Sequence, residues 1–260
     1  MNAAATDALG DELYAALRAR STVPPLTARQ PDIAIDDSYR ISRRILDRRV
    51  ADGERVVGKK IGVTSKVVQR ALDVHQPDFG WLTDRMLYRS GDALPISREL
   101  IQPRAEGEIA FRLKRDLAGT GITPADVIAA TESVMACFEI VDSRISDWKI
   151  RIQDTIADNA SSGLFAIGDE VSPIGIDFVT CGMVVEKNGE VISTGAGAAA
   201  LGSPLVCVAW LAETMSRFDQ PLRAGEIILS GSLVPLEPVV PGDRMRVRIG
   251  GIGSCEVSFT

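Results

Sequence analysis

The segment Arg104-Ala-Glu-Gly-Glu-Ile-Ala-Phe111 sets two carboxylates two residues apart in a largely apolar run. On a strand, residues i and i+2 share a face. Glu106 and Glu108 therefore project together, with only Gly107 between them. Neighbouring carboxylates on an apolar strand are costly unless a positive charge sits between them. A hard divalent cation, Mg2+ or Mn2+, answers that need: it prefers oxygen ligands and keeps positions open for water or substrate. A third acid, Glu139, interrupts the apolar strand expected over 134–141. A short helix over 123–133 joins the two strands, so they can lie side by side. The same spacing also describes a solvated strand face. Asp142 competes as the third ligand, although its parity turns it away from Glu139.

Lys60 is the second centre of interest. It stands between Gly58 and Gly62 on one face of a strand over 55–63, where the glycines let a ligand or another backbone come close. A lysine there can bind a carboxylate or assist proton transfer, or simply snorkel. Lys59 faces the other way. The turn-rich loop Val74-His-Gln-Pro-Asp-Phe-Gly80 offers His75 and Asp78 as acid/base groups, or as ordinary turn residues. Asp158-Asn-Ala-Ser-Ser-Gly163 is a polar loop suited to an oxygen-rich substrate or to a turn. Thr194-Gly-Ala-Gly-Ala198 presents backbone N–H groups near a helix start, which suits an anion. Ala200 stands where a dinucleotide fingerprint needs its third glycine, and no Gly-Lys-Ser/Thr follows, so nucleotide binding is discounted.

These groups need elements to hold them. Leu9, Leu13 and Leu17 mark a helix over 7–20, and Asp36 or Asp37 caps a second one ending near Ala51 and Gly53. The texture then changes to short strands, glycines and prolines. Thr123-Pro124 starts a helix, Asn188-Gly189 turns a hairpin between 181–186 and 191–194, and Ser203-Pro204 starts a helix to about Arg217. Late strands fall at 227–229, 245–249 and 255–259. The chain reads as α+β: a helical N-terminal cap over 1–53 and a β-rich catalytic core over 54–260.

Composition narrows the field. The 260 residues carry a formal net charge of −6 and only 5% aromatics, which argues against a nucleic-acid binder. A single histidine excludes His-rich zinc and two-histidine iron sites. Cys137, Cys181, Cys207 and Cys255 form no CxxC pair and read as a reduced, cytoplasmic set. No signal-like stretch opens the chain, and the most apolar region, 195–211, is broken by Gly202, Ser203 and Pro204, so no membrane span is expected.

Together the segments resemble the fumarylacetoacetate hydrolase superfamily. Ala224-Gly-Glu-Ile-Ile-Leu-Ser-Gly-Ser232, Val240-Pro-Gly-Asp243 and Ile249-Gly-Gly-Ile-Gly253 look like its closing signature, and Glu106/Glu108 with a later acid like its metal pattern. Val57-Gly-Lys-Lys-Ile-Gly-Val-Thr-Ser65, His75-Gln-Pro-Asp-Phe-Gly80, Phe138-Glu-Ile-Val-Asp-Ser-Arg144 and Ala157-Asp-Asn-Ala-Ser-Ser162 narrow the likeness to the 2-hydroxypenta-2,4-dienoate hydratases. Their sister family, the 4-oxalocrotonate decarboxylases, shares most of these motifs. The His-Gln-Pro-Asp loop favours the hydratases. The resemblance implies a mixed β-sandwich or roll core, a Mg2+ or Mn2+ cofactor held by Glu106, Glu108 and Glu139, and active-site roles for Lys60 and Asp78. It further implies substrate contacts at Ser161 and Thr194, a 2-oxo- or 2-hydroxy-dienoate substrate, a homo-oligomer, and a possible complex with the decarboxylase. A decarboxylase, a non-catalytic partner of one, and an acylpyruvate-type hydrolase using His75 are the rival readings.

Overall fold

The computed structural model describes residues 1–71 and 73–260. Helices α1 (Ala3–Ala19), α2 (Leu26–Arg29) and α3 (Ile35–Ala51) form the N-terminal cap. The chain continues through β1 (Val56–Gly62), α4 (Lys66–Ala71), β2 (Asp78–Thr83), β3 (Leu87–Arg89), β4 (Ala93–Leu94), α5 (Ile96–Glu99) and β5 (Arg104–Leu113). Then come α6 (Pro124–Ala130), β6 (Thr131–Val141), α7 (Ile152–Ala157), β7 (Ser162–Ile167), β8 (Gly182–Lys187) and β9 (Glu190–Ala196). The chain closes with α8 (Pro204–Arg217), β10 (Ile227–Leu229), β11 (Glu237–Pro238), β12 (Arg244–Ile249) and β13 (Gly253–Phe259).

Local chemistry explains several boundaries. Thr123 caps α6 in a capping box with Asp126, and Ser203 caps α8 ahead of Pro204. Each such cap is worth about 1 kcal/mol. The cap of α3 departs from expectation. Ala34 is the N-cap, and Asp37 instead accepts the Ala34 N–H at 3.1 Å from one turn inside.

Among the described residues the strands form two sheets. The larger runs β2-β1-β10-β5-β6-β7-β3, with β11 pairing on β5; the smaller runs β4-β13-β12-β8-β9. The larger sheet curls. A Cβ added at Gly80 on β2 would lie 3.0 Å from Ser162 Oγ at the start of β7, so the two ends of the curl nearly meet. Its convex side packs against the smaller sheet and α8 in one core that includes Phe111, Phe138, Val247 and Leu211. Inside the curl lies a smaller apolar cluster of Met135, Phe165, Leu229 and Leu82. The cap has its own cluster, Leu13, Ile41 and Ile45, which takes in Ile145 and Ala157 from the body. The apolar stretch Gly197–Arg217 is long and apolar enough to suggest a membrane span. Its helix α8, however, buries Cys207, Val208, Leu211 and Met215 in the core.

Two expectations near the site are corrected. The stretch to Gly80 is not all loop: Asp78 begins β2, whose six residues are all buried. A strand buried on both faces shows no alternation to read. The first strand stops at Gly62, because Val63 adopts φ +58°, a rare conformation for a β-branched residue.

Candidate active site

The register of the curled sheet brings the acids together. β5 and β6 are antiparallel with Glu106 opposite Glu139 and Glu108 opposite Cys137. Side chains directly opposite stand about 5 Å apart at Cβ, and diagonal neighbours about 7–8 Å. Lys60 pairs with Leu229 on β10, which pairs with Ala110 on β5, two residues beyond Glu108 and of the same parity. Gly80 lies opposite Lys60, and Asp78 opposite Gly62. All five ionisable groups therefore share the concave face. The glycines do what their spacing suggested. A Cβ at Gly58 would strike Ile227 O at 1.9 Å, and one at Gly62 would strike Asp78 Oδ1 at 2.2 Å.

A cavity of about 500 Å3 opens over this face. Lys60, Asp78, Glu106, Glu108 and Ser161 line it, and Glu139 lies 1% exposed beneath. Its other walls are mostly apolar: Val141, Trp148, Ile150, Val234 and Leu236. Thr194 is not brought here. It sits exposed on β9, the edge strand of the smaller sheet. His75 is exposed and off the cavity wall. Asp142 is turned away to accept the N–H groups of Ile101 at 3.1 Å and Gln102 at 2.7 Å, so it holds the backbone together.

The electrostatics are those of a crowded, buried cluster. Burial and the neighbouring Glu139 push the Glu106 carboxyl up to about 7, against the pull of Lys60. Burial, Glu139 and Glu106 push Glu108 well above the usual carboxylate range, and burial lifts Glu139 and Asp78. Burial works against the charge on Lys60, but the attraction of Glu139, Asp78, Glu106 and Glu108 outweighs it and raises the lysine. Lys60 Nζ lies 3.1 Å from Glu139 Oε1 and donates to Ala160 O at 3.0 Å. The Glu139 approach has ion-pair distance without hydrogen-bond alignment, so both Glu139 oxygens lack a hydrogen-bond partner, as do both Asp78 oxygens.

One lysine cannot neutralise three buried carboxyl groups and the half-buried Glu106. Buried unpartnered carboxylate oxygens of this kind are the donor set of a hard divalent cation. As placed, no three His, Cys, Asp or Glu groups among the described residues close around one point. Glu108 is turned to accept from Gly231 N at 2.8 Å, and Glu139 toward Lys60. The backbone register, however, puts all three glutamates within side-chain rotation of a common point at the cavity floor. The residues therefore fit a divalent cation.

The sequence points to the 158–163 loop and to Ser161, but not to the way they are held in shape. Asn159, Ala160 and Ser161 all have left-handed φ, which presents Ala160 O to Lys60 and Ser161 to the cavity. Arg144 clamps that turn: its side chain donates to Asp158 Oδ1, to Asp158 O at 2.6 Å and to Ser162 O at 2.9 Å. Arg144 is 3% exposed, so it is a structural arginine and not a free anion site. Lys59 is likewise engaged, 2.6 Å from Glu226. Asn159 pairs its amide with the N–H and C=O of Trp81, extending the ladder of β2 from the side. The run Asp158-Asn-Ala-Ser was visible in sequence as a polar loop, but its left-handed geometry was not. Gly231, at φ +95°, is pressed against Thr64 while its N–H holds Glu108.

Residues 55–260 match the family model described as fumarylacetoacetate (FAA) hydrolase C-terminal. Among curated proteins, the chain is 69% identical to a 2-hydroxypent-2,4-dienoate hydratase from Pseudomonas putida over 81% of this chain and 95% of that one. It is 55% identical to a 2-hydroxyhexa-2,4-dienoate hydratase from Comamonas testosteroni over 96% of each. Among solved structures, 4-oxalocrotonate decarboxylase from Pseudomonas putida G7, complexed with magnesium and adipate, superposes with TM-score 0.96 at 35% identity, covering 100% of this chain and 99% of that one.

Proposed function

The chain belongs to the fumarylacetoacetate hydrolase family, and from that premise we propose that it is a metal-dependent hydratase of aromatic meta-cleavage catabolism. It adds water to 2-hydroxypenta-2,4-dienoate and yields 4-hydroxy-2-oxopentanoate. The observation that carries this reading is the division of the cavity. Its floor holds Lys60, Asp78, Glu106 and Glu108, while Trp148, Ile150, Val234 and Leu236 give it an apolar wall. A small monoacid with a hydrocarbon tail fits both ends. The named activities of the hydratase relatives agree with it.

Glu106, Glu108 and Glu139 would hold the divalent cation, Mg2+ or Mn2+. When bound it supplies Lewis acidity toward the substrate carboxylate and C2 oxygen. Lys60 is held charged by the surrounding acids, so it orients the substrate carboxylate or C2 oxygen. Asp78, buried and raised, is the group suited to hold and pass a proton near the reacting carbons. Ser161 offers a hydroxyl on the cavity wall, 3.1 Å from Thr155 Oγ1. In the reaction, C5 of the dienol gains a proton and C2 becomes a ketone. Water then adds its oxygen at C4, and C3 takes the second proton. The apolar wall keeps bulk water from the C4–C5 end.

The decarboxylase reading requires a second anion site. Lys59 and Arg144 are paired away, and Arg104 lies with its guanidinium carbon 4.8 Å over the Trp148 ring. We place the enzyme in the cytoplasm, where its four free buried cysteines stay reduced. We also propose a homo-oligomer. The edge strand β9 leaves Val191 59% and Ile192 38% exposed, an apolar edge that another copy would cover. A complex with 4-oxalocrotonate decarboxylase is the further partner we propose, checked by sedimentation of the mixed proteins. The function is tested by following the ultraviolet absorbance of fresh 2-hydroxypenta-2,4-dienoate with Mg2+ and then with chelator. Metal-dependent loss with a gain of one water supports it. An inert dienoate with CO2 release from 2-oxohex-3-enedioate replaces it with the decarboxylase.

A further inference from the structure

A second cavity, of about 430 Å3, opens where the N-terminal helices meet the larger sheet. Five arginines line it: Arg18 and Arg20 at the end of α1, Arg49 from α3, Arg85 just after β2, and Arg98 from α5. The carboxylates lining it are Glu54 and Glu99. Five against two leaves a surplus of three positive charges in one concavity, on a chain whose formal net charge is −6.

The arginines fall into two groups. Arg49 is 12% exposed and already neutralised: its Nε donates to Glu54 Oε2 at 2.7 Å and its Nη2 to Thr83 Oγ1 at 3.1 Å. This pair forms the floor. The other four have no ion pair among the described residues. Arg20 donates to Ser97 O, and Arg85 reaches Asp52 O at 3.4 Å; the Asp52 carboxylate is itself taken up by the Tyr14 hydroxyl, and Glu99 lies within electrostatic reach of Arg98. These four arginines are all exposed along the rim of the concavity, where a dissolved anion can reach them. The helix dipole explains Arg18 in the last turn of α1. It does not explain the convergence of Arg85 and Arg98 on this cavity from two other places in the chain. Guanidinium forks match the oxygens of phosphate, sulfate or carboxylate in pairs.

We propose that this cavity binds a small dianionic or more highly charged oxyanion through Arg18, Arg20, Arg85 and Arg98. The phosphate or sulfate type and the dicarboxylate type share the chemistry. The wall of the cavity includes Ser162, Gly163 and Leu164, the start of β7, directly after Ser161. Occupancy therefore contacts the segment that carries the turn under Lys60.

Calorimetric titration of the Mg2+-loaded full chain with sodium sulfate, and separately with sodium succinate, tests the proposal. Chloride holds the ionic strength constant. Neither probe strips Mg2+ as a strong chelator would. Saturable binding of at least one probe is expected, weakened at least about tenfold in Arg18→Ala/Arg98→Ala and again in Arg85→Glu. Dienoate turnover without added oxyanion should be unchanged in these variants. Binding of sulfate alone assigns a phosphate-type ligand, and of succinate alone a dicarboxylate. Equal affinity in wild type and variants places the anion elsewhere and overturns the proposal. So does the absence of saturable heat up to about 10 mM. A changed sedimentation mass in the variants, with neither probe binding, would assign the cavity to an acidic segment of a second copy and would equally overturn it.

Discussion

Replacing Glu106 by glutamine removes one charge from the carboxylate cluster, and with it a pH dependence of stability. Burial and Glu139 push the Glu106 carboxyl from 4.5 up to about 7. A carboxyl raised on folding gives its full contribution below the unfolded value, and that contribution is lost as pH rises through the folded value. The window therefore runs from about pH 4.5 to 7. At about 1.36 kcal/mol per pKa unit, the gap caps the effect at roughly 3.4 kcal/mol. Glu106 faces the cavity and keeps partial exposure, so screening brings the expected value to about 1–3 kcal/mol. The assay is urea unfolding of wild type and Glu106→Gln in chelator, from pH 4.5 to 7.5. The difference between the two proteins cancels the titration of Asp158 and the surface acids. Wild-type stability relative to the variant should fall by that amount across the window. Saturating Mg2+ should reverse the trend in the wild type alone, because the cation binds the ionised carboxylates. A flat difference in chelator refutes the idea that Glu106 sits in a mutually repelling buried cluster.

Other expectations follow from the same geometry. Lys60→Met leaves Glu139 without its cation and should destabilise the chelated protein by about 3–5 kcal/mol, with divalent metal restoring part of the loss; unfolding midpoints with and without Mg2+ read this out. Asp78→Asn should slow hydration by about 10²–10⁴ while Mg2+ affinity stays nearly constant, and a parallel collapse of metal binding would remove Asp78 from proton transfer. Arg144→Met breaks the clamp on the 159–161 turn and should cost about 3–5 kcal/mol, seen as a lowered urea midpoint. Ser161→Ala should raise KM with little change in kcat; a loss confined to kcat would assign the hydroxyl to the transition state.

Which parts of the site were legible follows from periodicity. Glu106, Glu108 and Lys60 lie within extended strands, where the i, i+2 geometry of the backbone sets which residues share a face, and the register then brought Glu139 opposite Glu106. Asp78 was recognised as a candidate but set in a loop, because Pro77 and Gly80 read as turn residues while the strand Asp78–Thr83 is buried on both faces. Within 152–167 the polar loop at 158–163 is legible, but α7, β7 and the left-handed turn between them are not, because three consecutive left-handed residues leave no compositional mark. Thr194 is a different case: its run of small residues suggests exposed N–H groups, and the structure sets Thr194 on the edge strand of the other sheet, off the cavity wall, while its neighbour Gly195 packs on Leu233 O and Ala199 reaches the cavity. Contacts such as Arg144 on Asp158, or Asn159 on Trp81, join residues whose partnership is set by tertiary packing, and no local pattern announces them.

The central claim is metal-dependent addition of water to the dienoate over the glutamate floor. Its most direct test is mass spectrometry of the product formed from 2-hydroxypenta-2,4-dienoate in H2(18)O. The account predicts one 18O at the C4 hydroxyl, formed with Mg2+ and abolished both by chelator and by Glu139→Gln. Unchanged dienoate in the presence of Mg2+, or full labelling in chelator, would contradict it.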